Sequence, residues 1–130
     1  MNSISGTFTV ALKPLTPHLQ AEHEMTTQRM AIAKTYEGEL AGRSMGEMLS
    51  ITTSQPGSAG YVAIEQFVGT LEHKSGSFVL QHSGALNKGS SALQVDIVAD
   101  SGTAELAGLS GTMQINIENG QHFYTLNYQL

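Results

Sequence analysis

The sequence predicts an all-β fold, an antiparallel up-and-down barrel of approximately eight strands. Three observations carry that prediction. The dominant hydrophobic period is two, and helical periodicity is almost missing. Turn signals punctuate the chain at short spacing. Glycine recurs inside the predicted strands, at 38, 42, 46, 69, 84 and 111. Strand glycines mark bends and bulges, which curl a sheet until it closes. Closure removes exposed edges, so a barrel fits better than the alternative, a two-sheet sandwich.

Each element has its own signal. ISGTFTVAL sets Ile4, Gly6, Phe8, Val10 and Leu12 against small polar residues, a half-buried strand. Pro14 and Pro17 are expected to end it, with residues 14–27 as a loop containing one helical turn. RMAIAKTY is a second strand with Met30, Ile32 and Tyr36 on one side. GELAGRSMGEMLSITTS is a longer strand bent at its glycines, and QPGSAG is a turn. YVAIEQFVGTLE and SGSFVLQHSGAL are two strands joined by a short polar connection. ALQVDIVA is a strand, TAELAG a short one, and GTMQINIE with QHFYTLNYQL forms a hairpin about Asn119-Gly120. The 130 residues amount to one domain.

Hairpin pairing says which side chains share a face, because directly opposed residues do. Around Asn119-Gly120, Ile117 opposes His122, Ile115 opposes Tyr124 and Met113 opposes Leu126. That puts His122 and Tyr124 on an apolar face, with His122 at the barrel rim. An even-length connection within 73–76 puts Tyr61, Ala63, Glu65, Phe67 and Leu71 on one face with Phe78, Leu80, His82 and Leu86. In that register Phe67 lies opposite or near His82, and Glu65 within one rung of it. Val62, Ile64, Val68 and Val79 occupy the other face, so these strands are apolar on both sides and expected to be covered on both. A sister subunit, in a dimer or trimer, is the simplest cover.

Two residues stand out chemically. Glu65 is a carboxylate in mid-strand among apolar neighbours, which is costly unless it is paired or protonated. His82 interrupts the strand SFVLQHSG, where it can relay protons or satisfy one backbone carbonyl. Glu65 and His82 are therefore the candidate catalytic pair. Tyr61, Phe67, Phe78, Leu80, His122, Tyr124 and Glu47 are the candidate ligand contacts. The bland alternatives are a solvated or salt-bridged carboxylate and a core histidine with satisfied ring nitrogens.

Composition narrows the function classes. The formal net charge is −5, and the six Lys and Arg are scattered without a basic stripe, so nucleic acid is not an expected partner. Cysteine is absent, which removes disulfides and thiolate chemistry. No apolar run approaches the ~20 residues of a membrane helix, and the N-terminus carries no signal-peptide pattern, so the expected location is cytoplasmic, away from membranes. No cofactor and no metal is expected, since no two histidines stand at chelating spacing. Gly42-Arg43-Ser44-Met45-Gly46 spells G-x-S-x-G, but strand rather than helix comes after it, which argues against a nucleophile elbow.

GEMLS, GSAGYVAIEQFVGTL, SGSFVLQHSG, DSGTAELAGLSGTM and HFYTLNY resemble a bacterial family of unknown function, number 3224. The likeness runs from about residue 38 to the C-terminus. Ala104 stands where glycine is expected, and Glu72-His73 replaces the usual pair. The resemblance implies a grouping with allene-oxide-cyclase-like barrels, which are eight-stranded, have a mostly apolar cavity and include trimers among the plant cyclases. The plant cyclase motif is absent, so no catalytic residue carries over. The expected protein is a barrel binding a small, largely apolar molecule, with isomerase- or cyclase-type chemistry as one option. A non-catalytic carrier and an oligomeric module with a filled barrel are the alternatives.

Overall fold

Period-two patterning does become strands, eight of them: β1 (Asn2–Leu15), β2 (Thr26–Gly38), β3 (Leu40–Thr52), β4 (Ala59–Leu71), β5 (Lys74–Asn87), β6 (Ser90–Ile97), β7 (Ser110–Glu118) and β8 (Gln121–Gln129). The computed structural model describes all 130 residues. Each strand pairs antiparallel with the next, and β8 returns to β1, closing the barrel. No helix is long and apolar enough to cross a membrane.

Turn chemistry sets the register. Asn119 (φ 51°) and Gly120 (φ 78°) form the tight connection, so Glu118 opposes Gln121, Ile115 opposes Tyr124 and Met113 opposes Leu126, as the hairpin pattern predicts. Between β4 and β5 the turn residues are Glu72 (φ 46°) and His73 (φ 72°). Leu71 then opposes Lys74, Phe67 opposes Phe78, Glu65 opposes Leu80 and Ala63 opposes His82. The expectation that Phe67 lies opposite or near His82 is therefore corrected, since the two stand two rungs apart. The turn sits nearer the N-terminus than 73–76, but its length is still even, so every face assignment survives.

Two further expectations are corrected. β1 runs on through Pro14 to Leu15, opposite Met30 and Arg29 of β2. The β1–β8 ladder ends at Phe8–His122, which leaves the far half of β1 with one free side where a proline's missing N–H is tolerated. TAELAG is not a strand. Ala104 takes a positive φ of 52°, and Ala104–Leu106 make one 3-10 turn that inserts Leu106 and Leu109 into one end of the barrel. The segment is pinned to β5 by Ser77 N–H on Thr103 Oγ1 and Val79 N–H on Ser101 Oγ.

The interior is filled from that closed end to its middle. Leu40, Leu71, Leu106 and Leu109 plug the end, and Tyr36, Phe67, Phe78, Leu80, Met113, Tyr124 and Leu126 form the layer above. Tyr36 stands edge-on to Phe67 (centroids 5.7 Å apart, 83°) and to Tyr124 (5.6 Å, 72°), the arrangement aromatic quadrupoles favour. Gly42 and Gly69 face each other across β3 and β4, and the Phe67 ring occupies the space their side chains would need. A Cβ on Gly69 would lie 2.3 Å from the Ala41 carbonyl oxygen and 2.9 Å from that ring. On the outside, Met45, Leu49, Val62, Ile64 and Val68 make an exposed apolar stripe over β3 and β4.

Candidate functional site

Five polar side chains meet inside the barrel just above the aromatic layer. They come from four strands at interior positions: Lys34 and Tyr36 on β2, Ser44 on β3, Glu65 on β4 and His82 on β5. Glu65 is the centre and has no solvent exposure. Its Oε1 accepts hydrogen bonds from Tyr36 Oη and Ser44 Oγ, both at 2.7 Å. Its Oε2 accepts from Lys34 Nζ at 2.8 Å and contacts His82 Nε2 at 2.6 Å. Gly46 opposes Glu65 in the ladder, and no Cβ fits there.

Burial alone pushes the Glu65 carboxyl upward and is the largest single influence on it. Donation from His82, the Lys34 charge and the further hydrogen bonds from Lys34 and Tyr36 together outweigh it, and hold the group down at about 2. Glu65 is thus an anion at neutral pH. A carboxylate has only lone pairs to offer, so the hydrogen between Oε2 and Nε2 belongs to His82. With one proton on the ring, that proton sits on Nε2. Nδ1 then carries the lone pair. It takes no hydrogen bond from the chain and is not sealed from solvent. Lys34 Nζ also lies 4.7 Å above the centre of the Phe8 ring, a cation–π contact that helps hold the buried ammonium.

Above this cluster the barrel is not filled. A recess of about 460 Å³ is lined by Met48, Ser50, Tyr61, Gly84, Leu86, Leu93 and Ile115, among others. The wall explains why. β6 and β7 are paired only at Asp96–Thr112, so towards the open end the two strands splay apart, with Leu93 on one side and Ile115 on the other. Tyr61 connects recess and cluster. Its ring lies over Gly84, where a Cβ would come within 2.1 Å of it. Burial, then the nearby Glu65 charge, raises its phenol above the ordinary value. His82 stands one rung below the Tyr61–Gly84 pair, opposite Ala63.

A family model described as "Protein of unknown function (DUF3224)" matches residues 4–128. The chain belongs to that family. A solved structure, described as a protein with unknown function from the DUF3224 family of Shewanella oneidensis MR-1, is similar to it throughout. The TM-score is 0.97 at 49% sequence identity, covering 100% of this chain and 97% of that one. No curated protein matches the chain.

Within this DUF3224 barrel the sequence-nominated residues separate into groups. Glu65 and His82 share the interior face and touch. Tyr61 lines the recess. Phe67, Phe78 and Leu80 are wholly buried in the packed layer below, where they support the cluster rather than border open space. Tyr124, a candidate ligand contact, is instead buried in the packed interior. Its hydroxyl accepts from Leu40 N–H at 3.2 Å and faces the carbonyl oxygens of Glu37 (3.1 Å) and Leu40 (3.2 Å), which ties β8 to the β2–β3 turn. His122 is half-buried at the open rim and packs against Phe8, ring centroids 5.0 Å apart. Glu47 points outward and pairs with Arg29 at 2.7 Å, both well exposed, because β3 places odd positions outside. It takes no part in the interior site.

Lys34, Tyr36 and Ser44 are the cluster residues that sequence reasoning does not nominate as site residues. Met30, Ile32 and Tyr36 share a face, and period two puts Lys34 on it as well. Ser44 opposes Lys34 directly and serves as a hydrogen-bond donor to Glu65, in a G-x-S-x-G string with no hydrolase geometry. One carboxylate and one imidazole converge here, and no group of three metal-ligating side chains forms.

Proposed function

We propose that this DUF3224 protein binds a small, largely apolar molecule in the recess at the open end of its barrel. The observation that carries the reading is the division of the interior. The closed half is packed solid, while the open half keeps about 460 Å³ of mostly apolar space above a polar cluster. Small-molecule sites have this character, an apolar lining with few fixed polar groups. Tyr61, Met48, Leu86, Leu93 and Ile115 supply the lining, with His122 at the rim. His82, one rung below the Tyr61–Gly84 pair, is the group proposed to exchange a proton with a ligand. Glu65 is sealed beneath it and acts through it. The resemblance to allene-oxide-cyclase-like barrels supports the same reading and leaves isomerase- or cyclase-type proton transfer as the matching chemistry. The exposed stripe of Met45, Leu49, Val62, Ile64 and Val68 supports association with further copies of the chain.

Native mass spectrometry of protein purified from its own host, followed by calorimetry with short-chain alkylbenzenes, tests the reading. Retained organic mass or saturable uptake is expected. Bare chain mass together with no uptake of any alkylbenzene contradicts it.

A further inference from the structure

We infer that the molecule held in the recess is neutral and carries a hydrogen-bond acceptor of the carbonyl class, bound by the hydroxyl of Tyr61. The inference rests on the recess being a binding site, and adds what its occupant must offer.

One rung of the barrel crosses the recess. Ser50 opposes Tyr61, Tyr61 opposes Gly84 and Gly84 opposes Leu93, and all four line the space. Opposed residues share a face, and Tyr61 faces inward with Ala63 and Glu65 of the same strand. Because Gly84 has no Cβ, the Tyr61 ring can lie across it, inside the barrel. The hydroxyl on that ring makes no hydrogen bond within the chain and is not sealed from the surrounding space. Glu65 does not claim its hydrogen. A carboxylate has about four lone-pair sites, and Tyr36, Ser44, Lys34 and His82 already occupy both oxygens. Tyr61 therefore brings a free O–H to the recess that it lines.

Charge sets the rest of the requirement. No charged side chain lines the recess, so an ionised ligand would leave water without a counter-charge, at high cost. The carboxylate below it is already matched, with Lys34 Nζ at 2.8 Å from Glu65 Oε2. Tyr61 is itself neutral at physiological pH. An ordinary phenol ionises near 10, and burial, then the Glu65 charge, raises this one further. A neutral O–H with a free hydrogen is met by an acceptor. A carbonyl oxygen supplies one and brings no hydrogen of its own. A ligand hydroxyl or amide would bring a further hydrogen to place against a wall that is mostly Met48, Leu86, Leu93 and Ile115 in character.

The test uses three probes of nearly equal shape: 4-phenylbutan-2-one, butylbenzene and 3-phenylpropanoate. Each is titrated calorimetrically into the wild-type protein and into Tyr61→Phe, which keeps the ring over Gly84 and removes one oxygen. The ketone is expected to bind roughly tenfold more weakly to the variant, and butylbenzene equally well to both. The carboxylate is expected to bind neither. Infrared spectroscopy of the bound ketone adds a readout that packing alone does not move: its carbonyl stretch is expected at lower frequency in the wild type than in Tyr61→Phe. Equal ketone affinity in the two proteins, or equal losses for ketone and butylbenzene, overturns the assignment to the hydroxyl and leaves the recess as a binding site. The carboxylate binding as tightly as the ketone overturns the neutral class. Neither neutral probe binding the wild type removes the recess reading and the carbonyl assignment together.

Discussion

Oε2 of Glu65 lies 2.6 Å from Nε2 of His82, with the two residues one rung apart on adjacent strands and both buried in the barrel. The same oxygen holds Lys34 Nζ at 2.8 Å. A buried anion is thus matched by a buried cation and three further donors. Changing one member of that balance has measurable consequences.

Removing the carboxylate leaves the Lys34 ammonium buried without a counter-charge. Breaking a buried pair from one side costs about 3–5 kcal/mol. Glu65→Leu is expected to lose that much in urea denaturation, and Lys34→Met added to it to regain part. Equal stability of Glu65→Leu and the wild type contradicts the assignment of Glu65 as an ionised hub.

The acid limb of stability carries the same signature. The folded carboxyl titrates at about 2 and the ordinary value is 4.5. Its contribution is on the order of 3 kcal/mol, fully present above pH 4.5. It disappears as pH falls towards about 2. Thermal midpoints measured between those values are expected to drop steeply for the wild type and less steeply for Glu65→Gln. Parallel curves count against the depressed carboxyl.

On the alkaline side the four tyrosines matter. Burial, first among the causes in each case, raises the phenols of Tyr36, Tyr61, Tyr124 and Tyr128, and Tyr128, bonded to Glu72, is pushed up to about 12. Groups raised by folding stabilise the fold below their unfolded value of about 10 and cease to do so as pH climbs past the folded one. Spectrophotometric titration at about pH 10 is expected to show little phenolate in the folded protein, against half ionisation in urea. Equal phenolate in both states refutes the prediction.

Glu47 offers the contrast. Its pair with Arg29 is as short as those of Glu65, but both side chains stand largely in water. Surface pairs contribute only ~0–1 kcal/mol. Glu47→Gln is expected to shift the urea midpoint barely at all. A loss comparable to that of Glu65→Leu means that burial does not separate the two carboxylates.

Much of this molecule is legible in its sequence, for identifiable reasons. Asn119-Gly120 dictates a two-residue turn, so the β7–β8 register comes with it. The β4–β5 faces depend on parity alone, which is why Glu65 and His82 are correctly placed together although the turn lies at Glu72-His73. Lys34 is equally accessible through its period-two neighbours, but a lysine in a strand reads as a solvent-facing residue unless a buried acid is already known to await it. Tyr124 and Glu47 are not placed by pattern, since a barrel's depth and the side a bent strand presents depend on stagger, which no single strand encodes. TAELAG departs from its pattern because a positive φ at Ala104 contradicts the extended conformation its neighbours suggest.

The open half of the barrel, and no other surface, is the place assigned to the ligand. Methyl NMR during addition of butylbenzene tests that most directly. Shifts concentrated on Met48, Leu86, Leu93 and Ile115, with Leu106 and Leu126 of the packed half unmoved, are the predicted result. Shifts centred on Val62 and Ile64 of the outer face, or none at any methyl, would contradict it.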